Sequence, residues 1–142
     1  MVQCHKKGLF DSICYTIIVV SNNVFSNASC TTNCFSPVAK IVEDNWGIVA
    51  GSMTTIHSYT SDQCIQDAPH ADLRRARAAA INIVPTSTGA AVATAKVVPS
   101  VAGKISAIAF RVPVVTGSII EFNCLVEKQT STDEVNAVFK SN

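Results

Sequence analysis

Apolar side chains recur at helical spacing in the stretch that follows residue 30. The positions i, i+3, i+4, i+7 and i+11 are occupied by Phe35, Val38, Ala39, Val42 and Trp46. This spacing places the five side chains on one face of a helix. Gly47 follows directly, and glycine is the residue most typical of a helix end. The pattern therefore predicts a helix that begins near Cys30 and ends at Trp46.

Four other stretches are rich in β-branched and aromatic residues and predict strands. They are residues 13–20, 48–59, 104–112 and 118–127. In the long strand 48–59, alternation places Met53, Thr55 and His57 on one face. Between residues 61 and 85 the pattern is polar and irregular. A loop of that length is usually reserved for function.

Two further helices are predicted in the second half of the chain. The first covers residues 90–98 and is closed by Pro99. The second is capped by Ser131 or Thr132, with Glu134 in its first turn. Its apolar face is formed by Val135, Val138 and Phe139. Strands joined mostly by turns and loops predict an α+β fold: a mixed, largely antiparallel sheet with helices on one face.

Composition narrows the functional class. The chain has 142 residues, 48% of them hydrophobic, which suits one packed domain. A net charge of +1, with Arg74, Arg75 and Arg77 as the basic cluster, argues against a nucleic-acid partner. The apolar run 13–20 is too short to span a bilayer, so no membrane partner is expected. Six cysteines without a C-x-x-C pair indicate thiols in a cytoplasmic protein and no metal site.

Cys30 is the residue whose position suggests chemistry. At a helix N-terminus, unpaired backbone N–H groups and the helix dipole stabilise a thiolate. Local pattern alone somewhat favours the alternative, a small, buried and inert core cysteine.

Five motifs remove that ambiguity. They are SNASCTTNC (26–34), MTTIHSYT (53–60), DLRRARAAA (72–80), NIVPTSTGAA (82–91) and AFRVP (109–113). In this order and near this spacing they resemble the phosphorylating glyceraldehyde-3-phosphate dehydrogenases. The resemblance covers residues 26–142, which we interpret as part of the dehydrogenase catalytic domain. Residues 1–25 do not share it and form an atypical N-terminal segment.

The resemblance implies a glycolytic oxidoreductase that converts glyceraldehyde 3-phosphate and inorganic phosphate into 1,3-bisphosphoglycerate. The cysteine attacks the aldehyde to form a thiohemiacetal and then a thioester, and the histidine acts as acid and base. Cys30 and His57 match these two residues. The match to the substrate-phosphate site covers Thr60, Arg75 and Arg111. The match to the inorganic-phosphate site covers Ser29, Thr31, Thr88 and Gly89.

The resemblance also implies NAD as cofactor and a homotetramer for the full-length enzyme. Pro69 favours NAD over NADP, since plastid members that use NADP tend to have serine there. These 142 residues contain no G-x-G-x-x-G, so the main cofactor-binding domain is expected to lie outside them, and cofactor-binding residues cannot be assigned. The chain alone is therefore expected to be inactive as a dehydrogenase.

Two alternatives remain open from the sequence. One is a non-catalytic remnant of that enzyme, which only packs against other subunits or proteins. The other is a stand-alone thiol hydrolase or acyl-transferase that uses Cys30 and His57 without a nucleotide. The latter would be favoured by an Asp or Glu that orients His57, and the sequence does not identify one.

Overall fold

A computed structural model describes residues 29–142 of the chain. Within this range the elements are α1 (Cys30–Trp46), β1 (Ile48–Ser58), β2 (Val84–Thr86), α2 (Ala90–Val97), a 3₁₀ helix (Pro99–Val101), β3 (Ile105–Val112), β4 (Ser118–Val126) and α3 (Thr132–Ser141). The combination of a four-stranded mixed sheet and three helices confirms the predicted α+β class. The strand predicted at 13–20 lies outside the described residues.

Helix α1 has the predicted bounds, and both of its ends are capped. The Ser29 hydroxyl accepts a hydrogen bond from the Thr32 N–H at 3.1 Å, which satisfies one of the donors left open in a first turn. At the other end Gly47 has φ +70° and donates its N–H to the Glu43 carbonyl at 3.0 Å. The predicted apolar face is the packed one: Phe35, Ala39, Val42 and Trp46 are buried, and Val38 is half-buried.

The sheet has the strand order β2-β3-β1-β4. Strands β2 and β3 are antiparallel, with Val84 opposite Arg111 and Thr86 opposite Ala109. Strand β2 corrects the prediction that residues 61–85 are entirely irregular. It was missed because it is only three residues long and has Pro85 at its centre. Proline lacks a backbone donor and is tolerated on a sheet edge, which is where β2 lies.

The chain divides into two compact units. Among the described residues, the first unit contains 29–51, 90–105 and 124–142. Here α1 packs against α2 and the 3₁₀ helix. The buried hydroxyls of Ser36 and Thr94 join α1 to α2 by a 3.0 Å hydrogen bond. Because each hydroxyl is the other's partner, burying them leaves no unmet polar group at this contact.

The second unit contains residues 52–89 and 106–123. Its buried residues include Met53 and Thr55, which share one face of β1 as predicted, together with Val84, Thr86 and Ala109 on β2 and β3. The long segment between β1 and β2 is folded back on itself. Cys64 donates its N–H to the Arg75 carbonyl at 3.1 Å, and Ala79 donates to the Cys64 carbonyl at 2.9 Å. These bonds give a defined shape to a segment that the sequence shows only as polar and irregular.

The remaining elements differ from prediction mainly at their ends. Helix α2 stops one residue early, and the 3₁₀ helix that follows was not predicted. Pro99 is its first residue, and its fixed φ suits a helical first turn. Ser131 caps α3 by accepting from the Glu134 N–H at 3.3 Å. Across residues 29–142 no helix is long and apolar enough to cross a membrane.

Candidate functional site

Cys30 is the first residue of α1 and is exposed. The residue before it, Ser29, organises this turn. Its hydroxyl lies 2.7 Å from the Thr32 hydroxyl and also accepts the Thr32 N–H. The Ser29 carbonyl accepts from the Asn33 N–H at 3.0 Å and from the Asn33 side-chain amide at 2.8 Å. The Cys30 thiol is therefore presented at the positive end of a well-formed helix.

Ser29 has φ +90° and ψ +99°, and it is the only non-glycine residue with positive φ among those described. A side chain makes this region unfavourable, at a cost of about 1–3 kcal/mol. Strain of this kind persists only where surrounding contacts enforce it, and it is concentrated at functional sites. Of the two predicted inorganic-phosphate residues in this turn, Ser29 is exposed and Thr31 is buried.

His57 lies near the end of β1, with its Nδ1 against a cation and a carbonyl. The Arg111 guanidinium reaches this nitrogen through Nη1 at 2.7 Å. The Ser58 carbonyl oxygen is 2.8 Å from the same nitrogen and also accepts from Arg111 Nη1 at 3.2 Å. The motif resemblance assigns His57 to acid–base chemistry and Arg111 to phosphate binding. In the structure they are in direct contact.

The three predicted substrate-phosphate residues are grouped around one carboxylate, that of Asp62. The Thr60 hydroxyl donates to it, and Arg75 Nη1 forms an ion pair with it. Arg111 is close enough to contribute to its electrostatic environment. The hydrogen bond from Thr60 and the charges of Arg75 and Arg111 hold the pKa of Asp62 below its usual range, against a smaller opposing effect of burial. This part of the second unit is thus built to surround an anion.

Arg75 is fixed from the opposite side by Thr86. Its Nε and Nη2 both donate to the Thr86 hydroxyl, at 2.9 and 2.8 Å. Thr86 is 2% exposed and lies on β2. The guanidinium therefore has a fixed orientation, with one edge toward the sheet and the other toward Asp62. An arginine held in this way can exchange a carboxylate for a phosphate without losing its position.

Arg111 has a further donor without a protein partner. Its Nε is buried, and no acceptor within residues 29–142 lies at hydrogen-bonding distance. A buried N–H left unpaired costs about 1–3 kcal/mol. An anion bound at this edge of the guanidinium would remove that cost, which is consistent with the predicted role of Arg111.

Thr88 and Gly89, the other predicted inorganic-phosphate residues, directly precede α2. Thr88 is half-buried and Gly89 is exposed. A Cβ built on Gly89 would have no atom within 4 Å. Packing within the described residues therefore does not explain why this position is a glycine. A ligand that approaches the backbone closely would explain it.

Three residues of this arrangement were missed by sequence reasoning: Asp62, Thr86 and His70. His70 links two parts of the long loop, with Nε2 2.9 Å from the Asp62 carbonyl and Nδ1 accepting from the Asp72 N–H at 2.9 Å. Asp62 stands two residues after Thr60, and that proximity was a usable signal. No local pattern marks Thr86 or His70, because their partners are set by the folded loop.

The structure brings together His57, Thr60, Arg75 and Arg111 in the second unit. Cys30, Ser29 and Thr31 belong to the first unit, and the predicted pairing of Cys30 with His57 stays a prediction. No group of three or more His, Cys, Asp or Glu side chains in the described part of the chain could hold a metal ion. The described residues also form no glycine-rich turn of the kind that cradles a dinucleotide, so a main NAD site does not fit here.

The chain is similar to known proteins of one family. The family described as glyceraldehyde 3-phosphate dehydrogenase, C-terminal domain, matches residues 29–142. A protein of Nostoc sp. named glyceraldehyde-3-phosphate dehydrogenase 2 is 60% identical over 119 residues, which is 84% of this chain and 35% of that protein. A glyceraldehyde-3-phosphate dehydrogenase of Mycobacterium tuberculosis is 58% identical over 121 residues, 85% of this chain and 36% of that protein. The chain thus spans about a third of the length of these relatives.

Proposed function

The chain belongs to the family of glyceraldehyde 3-phosphate dehydrogenase C-terminal domains, and from this membership we propose that it carries the catalytic residues of a phosphorylating aldehyde dehydrogenase. The proposed reaction converts glyceraldehyde 3-phosphate and inorganic phosphate into 1,3-bisphosphoglycerate. The observation that carries the proposal is that Thr60 and Arg75 contact the Asp62 carboxylate, while Arg111, whose charge also acts on that carboxylate, contacts the imidazole of His57.

Cys30 is the proposed nucleophile. Its exposed thiol at the start of α1 is suited to attack the aldehyde carbon and form a thiohemiacetal. His57 is the proposed acid and base, which takes the proton of the thiohemiacetal hydroxyl as the aldehyde is oxidised. The resulting thioester is then cleaved by inorganic phosphate, which restores the thiolate and releases the acyl phosphate.

The two phosphate groups are assigned to two sets of residues. We propose that Thr60, Arg75 and Arg111 hold the phosphate of the substrate, since Thr60 and Arg75 already bind the Asp62 carboxylate and the charge of Arg111 acts on it. Ser29, Thr31, Thr88 and Gly89 are proposed to hold the attacking phosphate, through hydroxyls and the N–H groups of helix starts. Three arginines (Arg74, Arg75 and Arg111) against two aspartates (Asp62 and Asp72) leave a net positive charge in this region, which favours a dianion.

NAD is the proposed hydride acceptor, as the resemblance implies, with NADP less favoured. A homotetrameric parent enzyme and a cytoplasmic location remain predictions. Nδ1 of His57 lies against both the Arg111 cation and the Ser58 carbonyl, which can accept a hydrogen bond, so the thiol hydrolase alternative is decided by experiment.

One half-reaction tests the proposal on the full chain without a cofactor. With 1,3-bisphosphoglycerate, the Cys30 thiolate should displace phosphate from the acyl carbon and form a 3-phosphoglyceroyl thioester. Mass spectrometry of the intact chain should show one such adduct, mapped to Cys30, which disappears when inorganic phosphate is added. Cys30→Ser should prevent it, and Cys34→Ser, one helical turn away, should not.

The same experiment separates the alternatives. Acetyl phosphate, which lacks the second phosphate group, should acylate Cys30 much more slowly if the group around Asp62 binds that phosphate. A thioester lost to water at the same rate with and without phosphate would favour a thiol hydrolase. A folded chain with no adduct at Cys30 would favour the non-catalytic remnant and would contradict the proposed function.

A further inference from the structure

The Nδ1 atom of His57 has two close partners with opposite requirements, and a third, the Ser58 hydroxyl at 3.4 Å, that can either donate or accept. Arg111 Nη1 is 2.7 Å from it, and the Ser58 carbonyl oxygen is 2.8 Å from it. Arginine remains protonated in proteins and can only donate, so its hydrogen bond requires a lone pair on Nδ1. A carbonyl oxygen can only accept, so its hydrogen bond requires a proton on Nδ1. One nitrogen cannot satisfy both at the same time.

The position of Arg111 resolves this competition in favour of the lone pair. Its Nη1 also lies 3.2 Å from the Ser58 carbonyl. The same guanidinium nitrogen can therefore donate to the carbonyl and to the ring nitrogen, and the carbonyl does not lose its partner. With Nδ1 as acceptor, the proton of the neutral ring resides on Nε2. In this state Nε2 is a hydrogen-bond donor and cannot serve as a base.

We propose that Arg111 is a positioning residue that sets the tautomer of His57, and that an anion bound to Arg111 reverses it. An anion competes for the guanidinium more strongly than a neutral imidazole does, because both partners of the bond are then charged. The buried Arg111 Nε, which lacks an acceptor among residues 29–142, adds a further donor for that anion. When Arg111 turns to the anion, Nδ1 takes the ring proton and donates it to the Ser58 carbonyl.

The consequence is an ordering of events. The proton moves from Nε2 to Nδ1 through solvent, with no net gain or loss, and Nε2 acquires a lone pair. His57 then becomes competent as a base only after the phosphate site is filled. The use of Nε2 on a substrate hydroxyl rests on the proposed function, whereas the control of the tautomer by Arg111 does not.

The test is ¹⁵N NMR of the full chain labelled at its three histidines, at about pH 8, where imidazoles are ordinarily neutral. The shifts of the two ring nitrogens report which one carries the proton, and His57→Asn identifies the His57 signals. Without added anion, the Nε2–H form should predominate by about tenfold or more, as expected when a charge-assisted hydrogen bond favours it. As inorganic phosphate is added, the signals should shift toward the Nδ1–H form in proportion to the fraction of the chain that has bound phosphate.

Two variants separate the cause from a general effect of charge. Arg111→Leu removes the donor and should give the Nδ1–H form with or without phosphate. Arg77→Leu removes an exposed arginine paired with Asp67 and should leave the tautomer unchanged. Arg111→Lys retains a cationic donor and should restore part of the Nε2–H form. If Arg111→Leu fails to fold, the phosphate titration of the unaltered chain still tests the same point.

Each outcome decides the proposal. Phosphate whose binding is weakened by Arg111→Leu, and which therefore occupies the Arg111 site, but which leaves the His57 tautomer unchanged, would overturn it and leave the proposed function intact. A folded Arg111→Leu chain that keeps the Nε2–H form, or a chain that binds no phosphate, would also overturn it. A phosphate-dependent tautomer change in a chain whose Cys30 cannot be acylated would support the inference while the proposed function fails.

Discussion

The Glu43 carboxylate, in the last turn of α1, accepts a 2.6 Å hydrogen bond from the backbone N–H of Ile48, the first residue of β1. Lys104 lies 3.5 Å from the same carboxylate. Burial alone would raise the pKa of Glu43, but the hydrogen bonds from Ile48 and Ser100 and the charge of Lys104 outweigh it and lower the pKa. This carboxylate therefore fixes the turn between the helix and the long strand.

Replacement of Glu43 by alanine should destabilise the first unit. The backbone N–H of Ile48, which is a buried residue, would lose its acceptor. An unpaired N–H of this kind costs about 1–3 kcal/mol at neutral pH. Because the folded pKa is lowered, the stabilisation is complete above the ordinary carboxyl pKa of about 4.5 and is lost as pH falls through the folded value. Denaturant unfolding at pH 7 and pH 3 measures both effects.

Asp44→Asn is the matched control for this change. Asp44 is on the same helix, in an exposed ion pair with Lys40. Such pairs contribute at most about 0.5 kcal/mol. A Glu43→Ala chain no less stable than Asp44→Asn at pH 7 would contradict the role assigned to Glu43.

Cys30 should react first with limiting iodoacetamide at neutral pH, because a thiolate is stabilised at a helix N-terminus. Cys124 is also exposed, but partial burial of its thiol raises the pKa, so that residue should react more slowly than Cys30. Cys34 is exposed on the same helix and serves as the internal comparison. Peptide mapping after partial alkylation gives the order. Equal labelling of Cys30 and Cys34 in a folded chain would show that the helix start confers no special reactivity.

Gly47→Ala should be more destabilising than Gly103→Ala. Both glycines have positive φ, +70° and +74°, so both substitutions carry a backbone cost of about 1–2 kcal/mol. At Gly47 the added Cβ would also lie 2.9 Å from Glu127 Oε2, whereas at Gly103 nothing lies within 4 Å. Because Oε2 is the end of a flexible, exposed side chain that can move aside, the additional loss at Gly47 should be small. Unfolding free energies measure the difference. Glu127→Ala in the Gly47→Ala background should recover the additional loss, and no recovery would exclude the steric explanation.

Arg111→Leu should weaken phosphate binding by about tenfold or more, since a charge-assisted hydrogen bond contributes about 1.5–3 kcal/mol. Isothermal calorimetry with inorganic phosphate measures this directly. Arg77→Leu removes the same charge at a surface position and should have little effect. A similar affinity in both variants would mean that Arg111 does not contact the anion.

Gly89→Ala should separate binding from stability. No atom lies within 4 Å of the added Cβ, and the loss of chain entropy in the unfolded state can raise stability by about 0.4–1 kcal/mol. Phosphate binding should nevertheless weaken, because the methyl group would obstruct approach of the anion to the backbone before α2. Unchanged phosphate affinity in a folded variant would remove Gly89 from the proposed site.

Local pattern in the sequence determined the elements whose signals repeat within a few residues. The apolar face of α1, its end at Gly47 and the Ser131 cap of α3 follow from spacing and capping chemistry, and the structure confirms them. Motif resemblance also gave the residue types of the site and the family. These features are local because backbone geometry fixes which side chains share a face.

Only the tertiary structure decided which of those residues touch. Arg111 and His57 are 54 positions apart, and Arg75 meets Thr86 across 11 positions and Asp62 across 13. Strand β2 likewise exists because β3 offers it an edge, and not because of its own three residues. Spacing along the chain cannot predict such contacts, since they depend on how the long loop and the strands pack. The conflict at Nδ1 of His57 is visible only once Arg111 and the Ser58 carbonyl are placed against the same ring.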